Sequence, residues 1–215
     1  MLPLLLASFA HAADPVDIGV LQNSDLRVVQ KLLYSKEDRL ELGAALGVMP
    51  FDYATVAPQL ALSGAMHFSE KVAGEVQVGG GYGFKTGNYV ELESATYGVA
   101  LEAYRYLASV EADLQYAPIY AKMNLGRGVI LHHDVYGLAG LGLTVEQSVF
   151  PSGDIALAPT VPLGIGSRVW VNPNTALRFE FRDNLMYEYR KQSQTGALKQ
   201  NATFSVGISL FGKQK

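Results

Sequence analysis

Three charged residues occupy every second position near the end of the chain: Arg178, Glu180 and Arg182. In an extended strand such residues point to the same side and lie about 7 Å apart. Arginines that line an open pore can select anions. Arginines that face carboxylates in a closed interior instead form salt bridges between its walls. A narrow interior favours salt bridges, because its side chains leave no room for an aqueous channel.

His132 and His133 are the residue types most typical of metal binding or proton transfer. Adjacent residues of a strand face opposite sides, so these two cannot ligate one ion without distortion, and no third ligand accompanies them. The chain has no cysteine, which excludes disulfides, thiolate metal sites and a lipidated cysteine. No cofactor is predicted. The glycine-rich run at 79–83 lies within a predicted strand, so it does not form a phosphate loop.

The overall charge excludes a further class of function. The 215 residues include 17 Lys and Arg against 20 Asp and Glu, for a formal net charge of -3, and the basic residues do not cluster. Nucleic-acid binding requires concentrated positive charge. The chain is therefore not expected to bind nucleic acid, and its length fits a single domain.

Period-two alternation between large apolar residues and polar residues or glycine dominates the chain from Arg39 onward, which is typical of β-strands. Pro118 interrupts one of these segments, and a proline within a ladder requires an edge or a bulge. The pattern predicts eight strands, at residues 39–48, 59–68, 75–84, 114–123, 129–146, 161–171, 176–189 and 203–210.

The connections between these strands alternate in length. Short turns are predicted at 69–74, 124–128 and 172–175, and longer ones at 49–58, 85–112, 147–160 and 190–202. This alternation is typical of bacterial transmembrane barrels. The fold class predicted is an all-β, antiparallel, up-and-down transmembrane β-barrel of about eight strands. In the segment 92–114, apolar residues recur every three or four positions, which predicts a helix in the largest loop; two extra strands, giving ten, are the alternative.

The two faces of the predicted strands differ in content. One face is large and apolar, and twelve tyrosines in the chain suit the girdles at membrane surfaces. The other face carries many glycines and the charged residues, as the crowded interior of a small barrel requires. The sequence therefore predicts an interior charge network of Arg39, Glu41, Glu75, Asp134, Arg168, Arg178, Glu180 and Arg182.

The first residues combine an apolar run with small residues at Ala10 and Ala12, which predicts a signal peptide over 1–12. After it no run of about 18 apolar residues is long enough to form a transmembrane helix. The predicted organisation is a signal peptide at 1–12, a periplasmic arm at 13–38, the barrel at 39–211 and a short tail at 212–215. A short helix is also possible in the arm.

Several stretches resemble the outer-membrane β-barrel family that is abundant in myxobacteria and their relatives. They are VVQKLLYSKEDRLELGAALGVMP, beginning at Val28, and the later LQYAPIYAKM, HHDVYGLAGLGL and LRFEFRDNL. The resemblance covers roughly residues 28–211. It implies a location in the bacterial outer membrane and a barrel fold. Most members have no assigned activity, and some barrels of this kind belong to gliding-motility or adhesin-holding complexes.

Two residues do not fit the alternation. Strict period two directs Asp183 toward lipid, which would require a bulge beside Arg182, a position at the membrane rim or a protein partner. Phe211 is out of phase with the apolar residues of the last strand, where barrels commonly place a terminal aromatic residue.

These patterns predict a structural or interaction barrel without catalysis. Its expected partners are outer-membrane lipid and lipopolysaccharide, the barrel insertion machinery and an envelope protein. The alternative is a narrow pore or transporter whose arginine ladder selects small solutes. A third hypothesis is a lipid-modifying barrel enzyme that uses His133.

Overall fold

A computed structural model describes residues 34–94, 96–99, 102–124, 130–150, 153–191 and 193–213. The predicted signal peptide and the arm up to residue 33 lie outside the described residues. One helix, α1, spans Gly87–Glu93. The strands are β1 (Leu40–Met49), β2 (Thr55–His67), β3 (Val72–Gly81), β4 (Phe84–Lys85), β5 (Ala103–Asn124), β6 (Ile130–Phe150), β7 (Ile155–Asn172), β8 (Thr175–Arg190) and β9 (Thr195–Phe211).

Eight of these strands close into an antiparallel ring. Each pairs with its neighbour along the chain, except that β5 follows β3, and β9 pairs with β1, with Leu42 opposite Leu210. The two-residue β4 pairs with Thr55 and Val56, the first residues of β2, and stands outside the ring. The prediction of eight strands is therefore confirmed, and the alternative of ten is wrong. We call the end where β1 begins and β9 ends the base, and the opposite end the rim.

The outer surface of the ring is an apolar belt. Exposed large apolar side chains occur on all eight ring strands, and examples are Leu42, Leu62, Val78, Leu114, Leu141, Ile165, Phe179 and Ile208. Tyr82 and Tyr187 lie toward the rim of this belt, while Phe68 and Tyr116 lie toward the base. Such a surface suits lipid rather than water. Among the described residues, no helix is long and apolar enough to cross a membrane.

A helix lies in the largest loop as predicted, but it spans Gly87–Glu93, so the placement within 92–114 is wrong beyond Glu93. The helix ends at Glu93, and residues from Ala103 onward belong to β5. A register shift between Tyr106 and Ala108 moves the inward phase by one residue, so buried Tyr106 is followed by buried Ser109. This bulge produced the spacing of three that resembles a helical pattern. A second shift lies between Tyr116 and Ile119, at Pro118, where the sequence required an edge or a bulge.

Three of the connections predicted to be long are short in the structure. Strands continue to Phe150 and Arg190, and β7 and β9 resume at Ile155 and Thr195. The extra strand residues keep the alternation, with Leu157 and Leu198 exposed on the outer face. Only the connection between β3 and β5 remains long. It is tied to the first rim loop by Thr86, whose N–H and hydroxyl donate to the carbonyls of Ala54 and Tyr53.

Candidate functional site

The base of the lumen is closed by aromatic side chains. Phe211 is 5% exposed and packs on Trp170, with ring centroids 4.5 Å apart. Tyr34 also stacks on Trp170, with ring centroids 5.4 Å apart. Phe211 is out of phase with the lipid-facing residues of β9 because it faces inward, which accounts for the irregularity in the sequence.

Arg39 lies in this base layer and not in the charge network, so that part of the predicted network is wrong. Its guanidinium donates to the backbone carbonyls of Ser35, Pro173 and Gly212 at 2.8–2.9 Å, and to Oδ1 of Asn174 at 3.0 Å. Because β1 begins only at Leu40, this side chain reaches the turn between β7 and β8 instead of the carboxylates above. It joins the two ends of the barrel chain to that turn.

Residues 34–38 enter the base of the lumen. The N–H of Lys36 donates to both carboxylate oxygens of Glu70 at 3.1 Å, and the N–H of Asp38 donates to the carbonyl of His67 at 3.0 Å. The side chain of Lys36 is buried and its Nζ pairs with Asp134. This end of the predicted arm therefore contributes a cation to the interior. Sequence reasoning missed it because Lys36 precedes the first strand.

Arg168 is the lowest arginine of the network. Its Nε lies 3.2 Å from Oε1 of Glu41, its Nη1 lies 3.4 Å from Oδ2 of Asp134, and its Nη2 donates to Gln115. Glu41 also accepts hydrogen bonds from Ser209 Oγ at 2.6 Å and lies 2.8 Å from His67 Nε2. Side chains from β2, β7 and β9 therefore meet at Glu41 of β1.

Arg178 lies one layer higher. Its two terminal nitrogens contact the two carboxylate oxygens of Glu75, and the Nη2–Oε1 distance is 2.7 Å. The same Nη2 lies 2.5 Å from Glu180, and Nε donates to the Tyr136 hydroxyl at 2.7 Å. Tyr136 in turn donates to Glu180 at 2.7 Å. Gly166 makes room for this ring, because a Cβ there would lie 2.3 Å from it.

Arg182 completes the ladder toward the rim. Its Nη1 lies 2.7 Å from Asp113 Oδ2 and also contacts Glu111, and its Nε lies 3.1 Å from Glu180. The sequence prediction missed both Glu111 and Asp113, because it began that strand at Leu114. Their alternation with Ala112 and Leu114 was the signal that could have found them.

Among the described residues, the cavities found beside the network are small. Two cavities of about 10 Å³ each adjoin Arg178, Glu180 and Arg182. Each has room for about one water molecule. The network has four cations and six carboxylates among the described residues: Lys36, Arg168, Arg178 and Arg182 face Glu41, Glu75, Glu111, Asp113, Asp134 and Glu180. An arginine ladder neutralised in this way offers no free positive charge to a passing anion.

A second, smaller cluster lies near the rim. Lys199 Nζ is 3.1 Å from both Asp52 and Glu146, and 3.4 Å from Glu188. Glu188 also pairs with Arg190 at 2.9 Å. The sequence prediction left Lys199 in a loop, although the alternation of β9 continues through it.

The two histidines lie on different sides of β6. His132 faces the lumen, where its Nδ1 lies 2.8 Å from the Tyr120 hydroxyl and its ring meets Tyr34 edge-on at 5.0 Å. His133 is on the outer side and opposes Val169. The part of the chain that the structure describes contains no group of three or more potential ligands that could hold a metal ion.

This geometry defines a class: a closed, eight-stranded antiparallel transmembrane β-barrel whose lumen is filled by paired side chains. The N-terminal β-barrel domain of Pseudomonas aeruginosa OprF is similar, with a TM-score of 0.51 and 13% identity over 82% of this chain and 98% of that one. Neisserial surface protein A gives a TM-score of 0.47 at 12% identity, covering 80% and 95% of the two chains.

Ail, the attachment invasion locus protein of Yersinia pestis, gives a TM-score of 0.46 at 14% identity, covering 82% and 99% of the two chains. No family model and no curated protein matches the sequence. At 13% identity the likeness to the OprF domain shows the fold alone.

Proposed function

We propose that this chain is an integral protein of the bacterial outer membrane with a structural or interaction role, and that it neither conducts solutes nor catalyses a reaction. The observation that carries this proposal is the pairing of the lumen arginines, above all the contact of Arg178 with Glu75 on the opposite wall. A pore must keep its lining charges available to solutes, whereas here they bind one another.

The membrane location is supported by the closed barrel and its apolar outer belt. We further propose that the base faces the periplasm, and that the chain belongs to the myxobacterial family of barrels that its sequence resembles. Lipid, lipopolysaccharide and the insertion machinery would contact it in that membrane.

The surface proposed for an envelope partner is the long connection between β3 and β5. Tyr97, Val90 and Val99 are 58%, 52% and 45% exposed there, and Tyr53 of the adjoining loop is 50% exposed. Apolar side chains gathered at one end of a protein suit protein contact.

Conductance in planar lipid bilayers tests the filled lumen. The purified full chain is expected to give no stable unitary currents, and the rim variant Arg190→Ala should be equally silent. Stable currents in the wild type that change in Arg178→Ala or Arg182→Ala, but not in Arg190→Ala, would establish the pore hypothesis instead.

The location has its own test, in the outer-membrane fraction of cells that express the full chain. On gels, the unboiled protein should migrate differently from the boiled protein, because a closed barrel resists unfolding by detergent. Recovery from the soluble periplasm without such a shift would refute the proposal. A change in the mass spectrum of lipid A that depends on His133 would revive the enzyme hypothesis.

A further inference from the structure

Asp183 is a carboxylate on the lipid-facing side of the barrel. Its neighbours Arg182 and Asn184 are both 3% exposed in the lumen, so the alternation turns Asp183 outward. The register is unbroken here, since Arg182, Asp183 and Asn184 oppose Gly164, Leu163 and Pro162 in order. The bulge that the sequence analysis offered as one explanation is therefore absent at this position.

Asp183 also lies inside the apolar belt and not at its edge. Phe179 and Phe181 precede it on the outer face, and Tyr187 and Tyr189 follow it toward the rim. At about 3.3 Å per residue, Asp183 is about 13 Å along the strand from Tyr187. Tyrosines of this kind mark the membrane surface, so the carboxylate lies below that surface, where charge is unfavourable.

The carboxylate has little to stabilise it within its own chain. Oδ2 lies 3.5 Å from Nε2 of Gln200 on β9, and Oδ1 is buried without a hydrogen-bond partner among the described residues. Gln200 is itself exposed on the outer face. An amide has two donors and a carboxylate oxygen accepts two hydrogen bonds, so Gln200 and Oδ2 of Asp183 each have unused capacity.

We propose that the outer face of β8 and β9 binds a second copy of this chain, in which Gln200 of each copy donates to Asp183 of the other. This inference rests on the membrane location proposed above. Two copies inserted in the same direction are related by an axis along the membrane normal, so groups meet only at similar depths. Asp183 and Gln200 satisfy this condition because they neighbour each other on adjacent strands.

The pairing is also self-complementary. A two-fold interface places residue i of one copy against residue j of the other, and j against i. With Gln200 as the donor and Asp183 as the acceptor, such an interface forms the same hydrogen bond twice. Toward the base, an apolar groove of about 720 Å³ continues the face, lined by Leu46, Val48, Phe179, Phe181, Phe204 and Val206. Within lipid, close packing and polar contacts drive association, and this face offers both.

Cysteine crosslinking tests the interface, since the chain has no cysteine of its own. Ala202 opposes Asp183 on β9, whereas Val110 lies on β5, on the opposite side of the ring, and is 53% exposed. In lipid bilayers, full-length Ala202→Cys should form a disulfide-linked dimer, and Val110→Cys should not. Adding Asp183→Leu or Gln200→Leu should lower the linked fraction at least about tenfold.

Equal crosslinking of the two cysteine variants, or a monomeric wild type in ultracentrifugation, would overturn the proposal. So would an undiminished dimer in Asp183→Leu, or a linked product whose mass shows a different, cationic partner in place of the second copy. Migration of each variant before and after boiling separates the two proposals. A variant with the shift but no dimer contradicts only the interface, and loss of the shift in the wild type contradicts the membrane barrel.

Discussion

The lumen and the lipid-facing surface are built by the same strands, yet charged side chains find ion-pair partners in the lumen and few partners on the outer surface. Arg182 and Asp183 are consecutive in β8: within the described residues, Arg182 pairs with Glu111, Asp113 and Glu180, and Asp183 accepts one hydrogen bond, at 3.5 Å. Both lie within the membrane-spanning part of the barrel. At this depth a charge is stabilised only by groups of opposite charge or hydrogen-bond partners nearby, and the interior of the ring supplies them as carboxylates.

Arginine suits the lumen for a geometric reason. Its planar guanidinium presents donors in a fixed fork that matches a carboxylate, as Arg178 and Glu75 do across the ring. The contacts of Arg168 with Glu41, Arg178 with Glu75 and Arg182 with Glu111 join strands that are not neighbours in the sheet. The lumen network therefore holds the barrel's cross-section, in addition to the backbone hydrogen bonds around its wall.

The largest effect is expected from breaking this network at Arg178. Arg178→Met removes the cation but leaves Glu75 and Glu180 buried, which should lower the free energy of unfolding by about 4 kcal/mol. Urea unfolding in vesicles of short-chain phosphatidylcholine, followed by fluorescence of the single Trp170, measures it. Arg190→Met is the matched control, because its side chain is 32% exposed and its loss should change stability by less than about 1 kcal/mol. Equal losses of stability in the two variants would mean that Arg178 contributes no more to the barrel than an exposed rim arginine.

Closure of the base is the next most sensitive feature. Phe211→Ala removes the ring packed against Trp170 and should lower the free energy of unfolding by about 3 kcal/mol, because a cavity remains. The emission of Trp170 should also shift to longer wavelength as water enters. Phe68→Ala, at a lipid-facing phenylalanine that is 59% exposed, should leave the emission unchanged. A red shift in both variants would show that Trp170 senses the membrane and not the base.

The rim cluster should be less sensitive than the central network. Lys199→Met leaves Asp52, Glu146 and Glu188 without their shared cation, but water at the rim reaches this layer more easily. A loss of about 2 kcal/mol in the same urea assay is expected. Lys191→Met, whose side chain is 53% exposed, should change stability by less than about 0.5 kcal/mol. A Lys199 variant as damaging as Arg178→Met would contradict the expectation that the rim cluster is less sensitive than the central network.

The sequence predicted those parts of the fold and site that depend on local alternation. Arg178, Glu180 and Arg182 were placed together because β8 keeps its period without interruption. Glu111 and Asp113 were missed because the bulge after Tyr106 interrupts the alternation of β5, so the strand was predicted only from Leu114 onward. Partners across the lumen depend on how the ring closes: Arg178 and Glu75 are 103 positions apart, and no local pattern joins them.

Long-range contacts also decide the roles of the residues that flank the two ends of the barrel segment. Lys36 and Phe211 acquire their roles only when the base closes around them, because each reaches residues from other parts of the ring, Asp134 and Trp170. The sequence could mark Phe211 as out of phase, but the lumen that receives it exists only in the closed barrel.

The smallest effect on stability is expected on the lipid-facing surface, at Asp183. Asp183→Leu replaces a poorly partnered carboxylate in the apolar belt and should raise the free energy of unfolding by about 1 kcal/mol, since lipid favours an apolar side chain there. The assay is urea unfolding at high dilution in vesicles, where copies do not meet. Asp154→Leu, whose carboxylate lies at the rim with a 60% exposed side chain, should give no gain. A loss of stability in Asp183→Leu would show that this charge is satisfied within a single barrel, and the contrast between lumen and outer surface would not hold.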